Sequence, residues 1–200
     1  MESTEEQIVK KIRYYKRGKI FFPDHFREFG SQDAIHQALS RLADEEYLVR
    51  LGHGIYLYPK KDPQLGVLYP SIDEIAHAIA RRDRAKIIPT GTLAMNKLGL
   101  STQVPMNAVY LTDGSQRSVQ VGNREIKFKR TVPKNLVAKG EISGLVIQAL
   151  REIGNGKATD RQLSKIKELL QKEKPENVRH DARLAPVWIR KIMEEAMEKA

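Results

Sequence analysis

Residues 32–59, QDAIHQALSRLADEEYLVRLGHGIYLYP, decide how this chain is read. Ile35, Ala38, Leu39 and Leu42 recur at helical spacing, so one face is buried while Asp33, His36, Gln37, Ser40, Arg41 and Asp44 stay on the other. An acidic break follows. Tyr47–Leu51 and Ile55–Tyr58 are then rich in β-branched and aromatic residues, and Gly52-His53-Gly54 between them offers the positive φ of a tight turn. A helix that runs into a short β-ribbon with Arg50 on its arm predicts a winged helix-turn-helix. In such a fold the helix enters the major groove and the wing touches backbone phosphates.

Upstream, Thr4-Glu5-Glu6-Gln7 has the form of a capping box, and Ile8, Ile12 and Tyr15 predict a helix over residues 4–17. Lys19–Phe22 reads as a short strand, Pro23-Asp24 as the start of a turn and short helix to Phe29, and Gly30-Ser31 as a break and N-cap. Residues 1–61 thus show the winged-helix order. Lys60-Lys61-Asp62-Pro63 reads as a linker to a second domain, residues 62–200. There, Ser71-x-x-Glu74 caps a helix from Ile72 to Arg81, and Thr90 caps Leu93–Leu98, which ends at Gly99. Asn107–Thr112 is a strand, and Val119–Val121 with Glu125–Phe128 form a hairpin about Gly122-Asn123. Helices follow at Ile142–Ile153, Asp160–Gln171 (behind a Thr159-x-x-Gln162 box) and Ala185–Lys199. The expected class is α+β: an N-terminal winged helix-turn-helix, a mixed α/β second domain and a helical C-terminus.

The 200 residues hold 35 Lys and Arg against 25 Asp and Glu, a net charge of +10 that favours polyanionic partners. The excess is uneven. Residues 1–61 carry 11 basic and 9 acidic side chains, whereas residues 117–140 carry seven basic ones and Glu125 alone. The absence of cysteine excludes disulfides and thiolate metal sites and suits a reducing compartment. With no apolar run of membrane-spanning length and no apolar leader core, the expectation is a cytoplasmic protein without a membrane partner. The five histidines are scattered with no HExxH, so no metal or cofactor is expected. Gly154-Asn155-Gly156-Lys157 is similar to the end of a phosphate-binding loop, but Arg151 stands where its first glycine belongs and Ala158 where its hydroxyl belongs. There is no GxSxG nucleophile motif either, and the chain reads as a non-enzyme.

Candidate DNA contacts are Ser31, Gln32, His36, Gln37, Ser40 and Arg41 on the helix, with Arg50 and His53 on the wing. Gln suits adenine, Arg suits guanine, and Ser or His can meet several base edges. A solvated helix face is the alternative, and Asp33, Asp44, Glu45 and Glu46 would repel phosphates. A second candidate patch comprises Arg117, Arg124, Lys127, Lys129, Arg130 and Lys134, interleaved with Val119, Val121, Ile126 and Phe128 as in a strand wet on one face. DNA backbone, an acidic partner protein or plain solvent could face it. Lys60 and Lys61 read as solubilising a linker, while Lys16, Arg17 and Lys19, clustered after the first helix, read either as phosphate contacts or as surface decoration.

Three segments resemble the AbiEi-type antitoxins, the transcriptional-regulator halves of bacterial type IV toxin-antitoxin systems. One is Ala38–Pro59, which departs from the family pattern at Tyr47, preceded by Glu46, where a turn glycine is usual. Another is PTGTLAMNKLGLS, Pro89–Ser101, followed by Gln103-Val104-Pro105. The third is the subsequent strand and basic hairpin to Arg130, so the likeness covers roughly residues 5–155. The resemblance implies a protein that binds inverted repeats in its own promoter, represses its operon and counters a nucleotidyltransferase-like toxin without forming a stable complex. It assigns DNA reading to the N-terminal domain and antitoxicity to the C-terminal one. A winged-helix protein-interaction module and a stand-alone regulator without a toxin are the alternatives.

Overall fold

Ser3, not Thr4, opens the first helix. Its hydroxyl accepts the Glu6 N–H at 3.2 Å while Glu6 Oε2 accepts the Ser3 N–H at 2.7 Å, so α1 runs Thr4–Arg13. The Thr4 hydroxyl instead donates to the Phe29 carbonyl at 3.0 Å. The helix also ends earlier than its periodicity suggests. Beyond Tyr15 the backbone turns to the sheet: the Gly18 N–H donates to Tyr58 O at 2.7 Å, and the Tyr58 N–H donates to Lys19 O at 2.9 Å. The structure, a computed structural model, describes residues 2–103, 105 and 107–198; Val104 of the Gln103-Val104-Pro105 segment and Lys199 of the last expected helix lie outside the described residues.

The class is α+β. Strand β1 (Ile20–Phe21) pairs antiparallel with β3 (Ile55–Leu57), which also pairs with β2 (Val49–Gly52), giving the order β1-β3-β2. Between β1 and β2 lie a 3-10 helix, Pro23–Phe29, and α2, Gln32–Asp44, whose N-cap Ser31 accepts the Ala34 N–H at 3.3 Å. The apolar stripe behaves as its spacing predicts. Ile35, Ala38, Leu39 and Leu42 are buried with Ile8, Ile12, Phe21, Phe26 and Tyr56 in one core.

Glu46, after α2, holds φ +57, a left-handed conformation that a non-glycine residue adopts at a cost of about 1–2 kcal/mol. Removing that strain outweighs the extra freedom glycine gains on unfolding. Glu46→Gly is therefore expected to raise stability by roughly 0.5–1 kcal/mol, seen as a higher midpoint in urea; a lower midpoint would mean the carboxylate contributes more than the strain.

Lys60-Lys61-Asp62 is a strand and not a linker. It forms β4, paired antiparallel with β5 (Gly66–Leu68) in register Lys60↔Leu68, Lys61↔Val67 and Asp62↔Gly66. Asp62 Oδ1 closes the turn by accepting the N–H groups of Gln64 and Leu65 at 2.8 and 3.0 Å. Helix α3, Ile72–Arg82, starts at the expected box, with Ser71 and Glu74 exchanging hydrogen bonds.

The chain divides into two compact units, one ending at Ala78 and including Val119–Asn123, the other comprising Ile79–Ser118 and Arg124 onward. The division falls inside α3, later than residue 61. A four-stranded sheet has the order β6-β7-β9-β8, from β6 (Ile87–Pro89), β7 (Asn107–Thr112), β8 (Arg117–Val121) and β9 (Arg124–Arg130). β6 runs antiparallel to β7, and β7 runs parallel to β9. Helix α4 is Thr92–Lys97 with Gly91, not Thr90, at its N-cap and no side-chain cap; the Thr90 N–H donates to Val109 O at 3.0 Å beside β7.

The helices α5 (Glu141–Ile153), α6 (Asp160–Leu170), α7 (Pro175–Ala182) and α8 (Val187–Glu198) complete the second unit. Residues 143–150 of α5 are all buried, at the centre of a core with Ile166, Leu170, Ile189 and Met193. The expected α6 box is present, while α7 was not anticipated. No described helix is long and apolar enough to cross a membrane.

Candidate nucleic-acid interface

The face of α2 opposite the core presents Gln32, Gln37 and Arg41 as exposed side chains, with His36 and Ser40 half-buried between them. Ser31 is exposed, with its hydroxyl committed to the helix cap. Asp33 and Asp44 are exposed along the same helix. Its charge is therefore mixed.

Arg41 is not free. Its Nε donates to Glu5 Oε2 on α1 at 2.7 Å, with 55% and 27% of the two side chains exposed. That contact leaves both terminal guanidinium nitrogens available for a bidentate acceptor and fixes the plane in which they lie. Glu5 is a positioning residue that sequence reasoning missed, since 36 residues separate it from Arg41 and nothing local links them.

His53 is exposed in the turn between β2 and β3, where Gly54, not Gly52, takes positive φ, at +65°. Gly52 has another role: a Cβ there would lie 2.5 Å from the Gln120 carbonyl, beside the Gly122 N–H that donates to Leu51 O at 3.3 Å. Arg50 is exposed, its guanidinium 6.0 Å from the ring centroid of buried Tyr56. Burial pushes the Tyr56 hydroxyl above its ordinary pKa, with Asp44 adding to the shift and Arg50 opposing it. Tyr56 is thus a neutral support for Arg50.

The basic hairpin separates into tied and free groups. Arg117 pairs with Asp83, lies 5.7 Å from the Phe128 ring centroid, and has its Nε buried without a hydrogen bond. It shares the buried face of the hairpin, contrary to the expected wet side. Arg124 donates to the Pro105 carbonyl at 3.2 Å, and Lys127 pairs with Glu125 at 3.0 Å. Glu125 is accordingly held below its ordinary pKa, through hydrogen bonds from Lys127 and then Ser118. Lys129, Arg130 and Lys134 are exposed and without ion pairs among the described residues. Lys134 lines a small cleft with Gln148, Arg151 and Ile88 that holds about 10 Å³, at most a single water. No group of three or more His, Asp or Glu side chains suited to a metal occurs among the described residues.

The chain belongs to the family of unknown function DUF6088, whose model matches residues 7–178. No curated protein matches it. Among solved structures it is similar to the RV2827C protein from Mycobacterium tuberculosis, at 10% identity and a TM-score of 0.43, over 96% of this chain and 81% of that one. A likeness at that level carries no argument about function.

Proposed function

We propose that this protein is a sequence-specific transcriptional autoregulator that binds double-stranded DNA in its own promoter through a winged helix-turn-helix. The observation that carries the reading is α2, with four apolar residues buried beneath a face that offers Gln37 and a clamped Arg41, followed directly by the β2–β3 turn with His53 and Arg50. In this reading α2 is the recognition helix and the β2–β3 turn the wing. The resemblance to AbiEi-type antitoxins extends the proposal: the protein acts in the cytoplasm as repressor and antitoxin of a type IV system, opposing a nucleotidyltransferase-like toxin without a stable complex. No catalytic step and no cofactor is assigned to the chain.

Gel shift against the upstream region is the test. Gln37→Ala and Arg41→Ala are each expected to weaken promoter binding by about 1–3 kcal/mol and to relax base preference at one position. Glu5→Gln should weaken binding less, because it loosens Arg41 without removing it. Equal affinity for promoter and random duplex at physiological salt would end the proposal. Asp33 and Asp44 on the α2 face favour a second reading, a protein-interaction module, which a stoichiometric complex without promoter binding would select.

A further inference from the structure

Ion pairing within the first unit is selective. Lys10, Lys11, Arg27 and Arg41 are neutralised by Glu2, Glu28, Asp24 and Glu5. Lys16, Arg17, Lys19, Lys60 and Lys61 are exposed and make no ion pair among the described residues. More than 40 positions apart in sequence, the two groups are brought together by backbone pairing. Gly18 and Lys19 exchange hydrogen bonds with Tyr58, and Arg17 Nη1 donates to the Pro59 carbonyl at 3.1 Å, immediately before β4 begins at Lys60. The Asp62 carboxylate accepts the turn N–H groups and also feels the charge of Lys60, so it offsets one charge of the cluster.

Aromatic rings stand among these cations. Tyr14 is 81% exposed and Tyr69, one residue beyond Leu68 in its pairing with Lys60, is 66% exposed. Lys19 Nζ lies 5.3 Å from the ring centroid of Tyr15, which is 42% exposed, while the Arg17 guanidinium packs 4.7 Å from that of buried Tyr58. A duplex hides the faces of its bases and offers such rings nothing to stack on. Unpaired bases do, and cations beside exposed rings are the pattern that tracks a single strand. The cluster lies at the opposite end of β3 from the His53 turn.

We propose that the Tyr14–Lys19 segment and the base of the β4–β5 ribbon form a second nucleic-acid site, specific for single strands. It goes beyond the promoter-reading surface and does not depend on it. The experiment is fluorescence anisotropy of the full chain with a short fluorescein-labelled oligothymidine strand over a range of salt. Binding should weaken with salt, with a slope of about −0.7 per phosphate neutralised. The triple reversal Lys16→Glu, Lys60→Glu and Lys61→Glu should weaken it at least ~10-fold and flatten the slope, since several phosphate contacts are lost together. Tyr14→Ala, which removes an exposed ring and leaves the fold intact, should weaken it roughly 5-fold or more. Gln37→Ala and Arg41→Ala should leave single-strand binding unchanged, so this site and the promoter reading fail separately. Three results would overturn the proposal: no binding of the strand at low salt, unchanged binding by the triple reversal, or a silent Tyr14→Ala. The last would leave only an attraction that any polyanion would feel.

Discussion

Asp181→Ala is expected to lower stability by about 3–5 kcal/mol, the cost of stripping a buried carboxylate from the donors it satisfies. Asp181 is completely buried at the end of α7. Its carboxylate accepts the N–H groups of Lys139 and Gly140, both at 2.9 Å, the Ser143 hydroxyl at 2.5 Å, and a contact from His180 Nδ1 at 2.7 Å. Glu173 accepts the Ile142 N–H at 3.0 Å alongside it. The start of α5, whose N–H groups have no partner within the helix, is therefore capped from residues far downstream. A Cβ at Gly140 would crowd the Ser143 hydroxyl and stand 2.6 Å from Glu173 Oε2, so a side chain there would displace both capping groups. Trp188, the only tryptophan, packs against this core, and its fluorescence in a urea titration measures the loss.

The same cap sets a pH dependence. Burial alone would raise the pKa of Asp181, but the bonds from His180, Ser143 and the two backbone N–H groups together hold it below its ordinary value. A carboxylate depressed in the folded state stabilises fully above its unfolded pKa of about 3.9 and loses that contribution as pH falls through the folded value. The stability gap between the wild type and Asp181→Asn should accordingly stay constant at neutral pH and close below about pH 4. A gap that widened on acidification would show that the carboxylate is not what holds α5.

Leu39→Ala is expected to cost about 3–5 kcal/mol, the range for a leucine removed from a packed core. Leu39 is wholly buried on α2, in the cluster with Ile8, Ile12 and Phe26. Thermal unfolding followed by far-UV circular dichroism should show the loss. Leu39 belongs to the stripe and not to the polar face, so the variant should retain promoter affinity at temperatures where it stays folded. Gln37→Ala should do the reverse, keeping stability and losing affinity. A Leu39→Ala cost under about 1 kcal/mol would mean that α2 is not anchored by that stripe.

Legibility followed the range of the forces involved. The α2 stripe, the Ser31 cap and the boxes at Ser71 and Thr159 were readable because each is settled within one or two helical turns. Helix α7 was not, since only Val178, Asp181 and Ala182 of its eight residues are buried and one of these, Asp181, is a carboxylate. β6 is three residues long and exists through its pairing with β7. β4 has a polar sequence that its partner strand and the Asp62 turn make into a strand.

The candidate surfaces divide in the same way. Composition alone put the positive excess at residues 117–140 and made it the natural anchor for a polyanion. The fold instead ties Arg117, Arg124 and Lys127 to Asp83, Pro105 and Glu125, and joins Lys16–Lys19 to Lys60 and Lys61 across the end of a sheet. By itself the sequence determined most of the helices, the caps at Ser31, Ser71 and Thr159 and the polar face of α2, because periodicity and capping act between residues a few positions apart. Only the tertiary structure decided which cations are neutralised and which are gathered, because ion pairs and strand pairing depend on distance in space, which the order of residues does not contain.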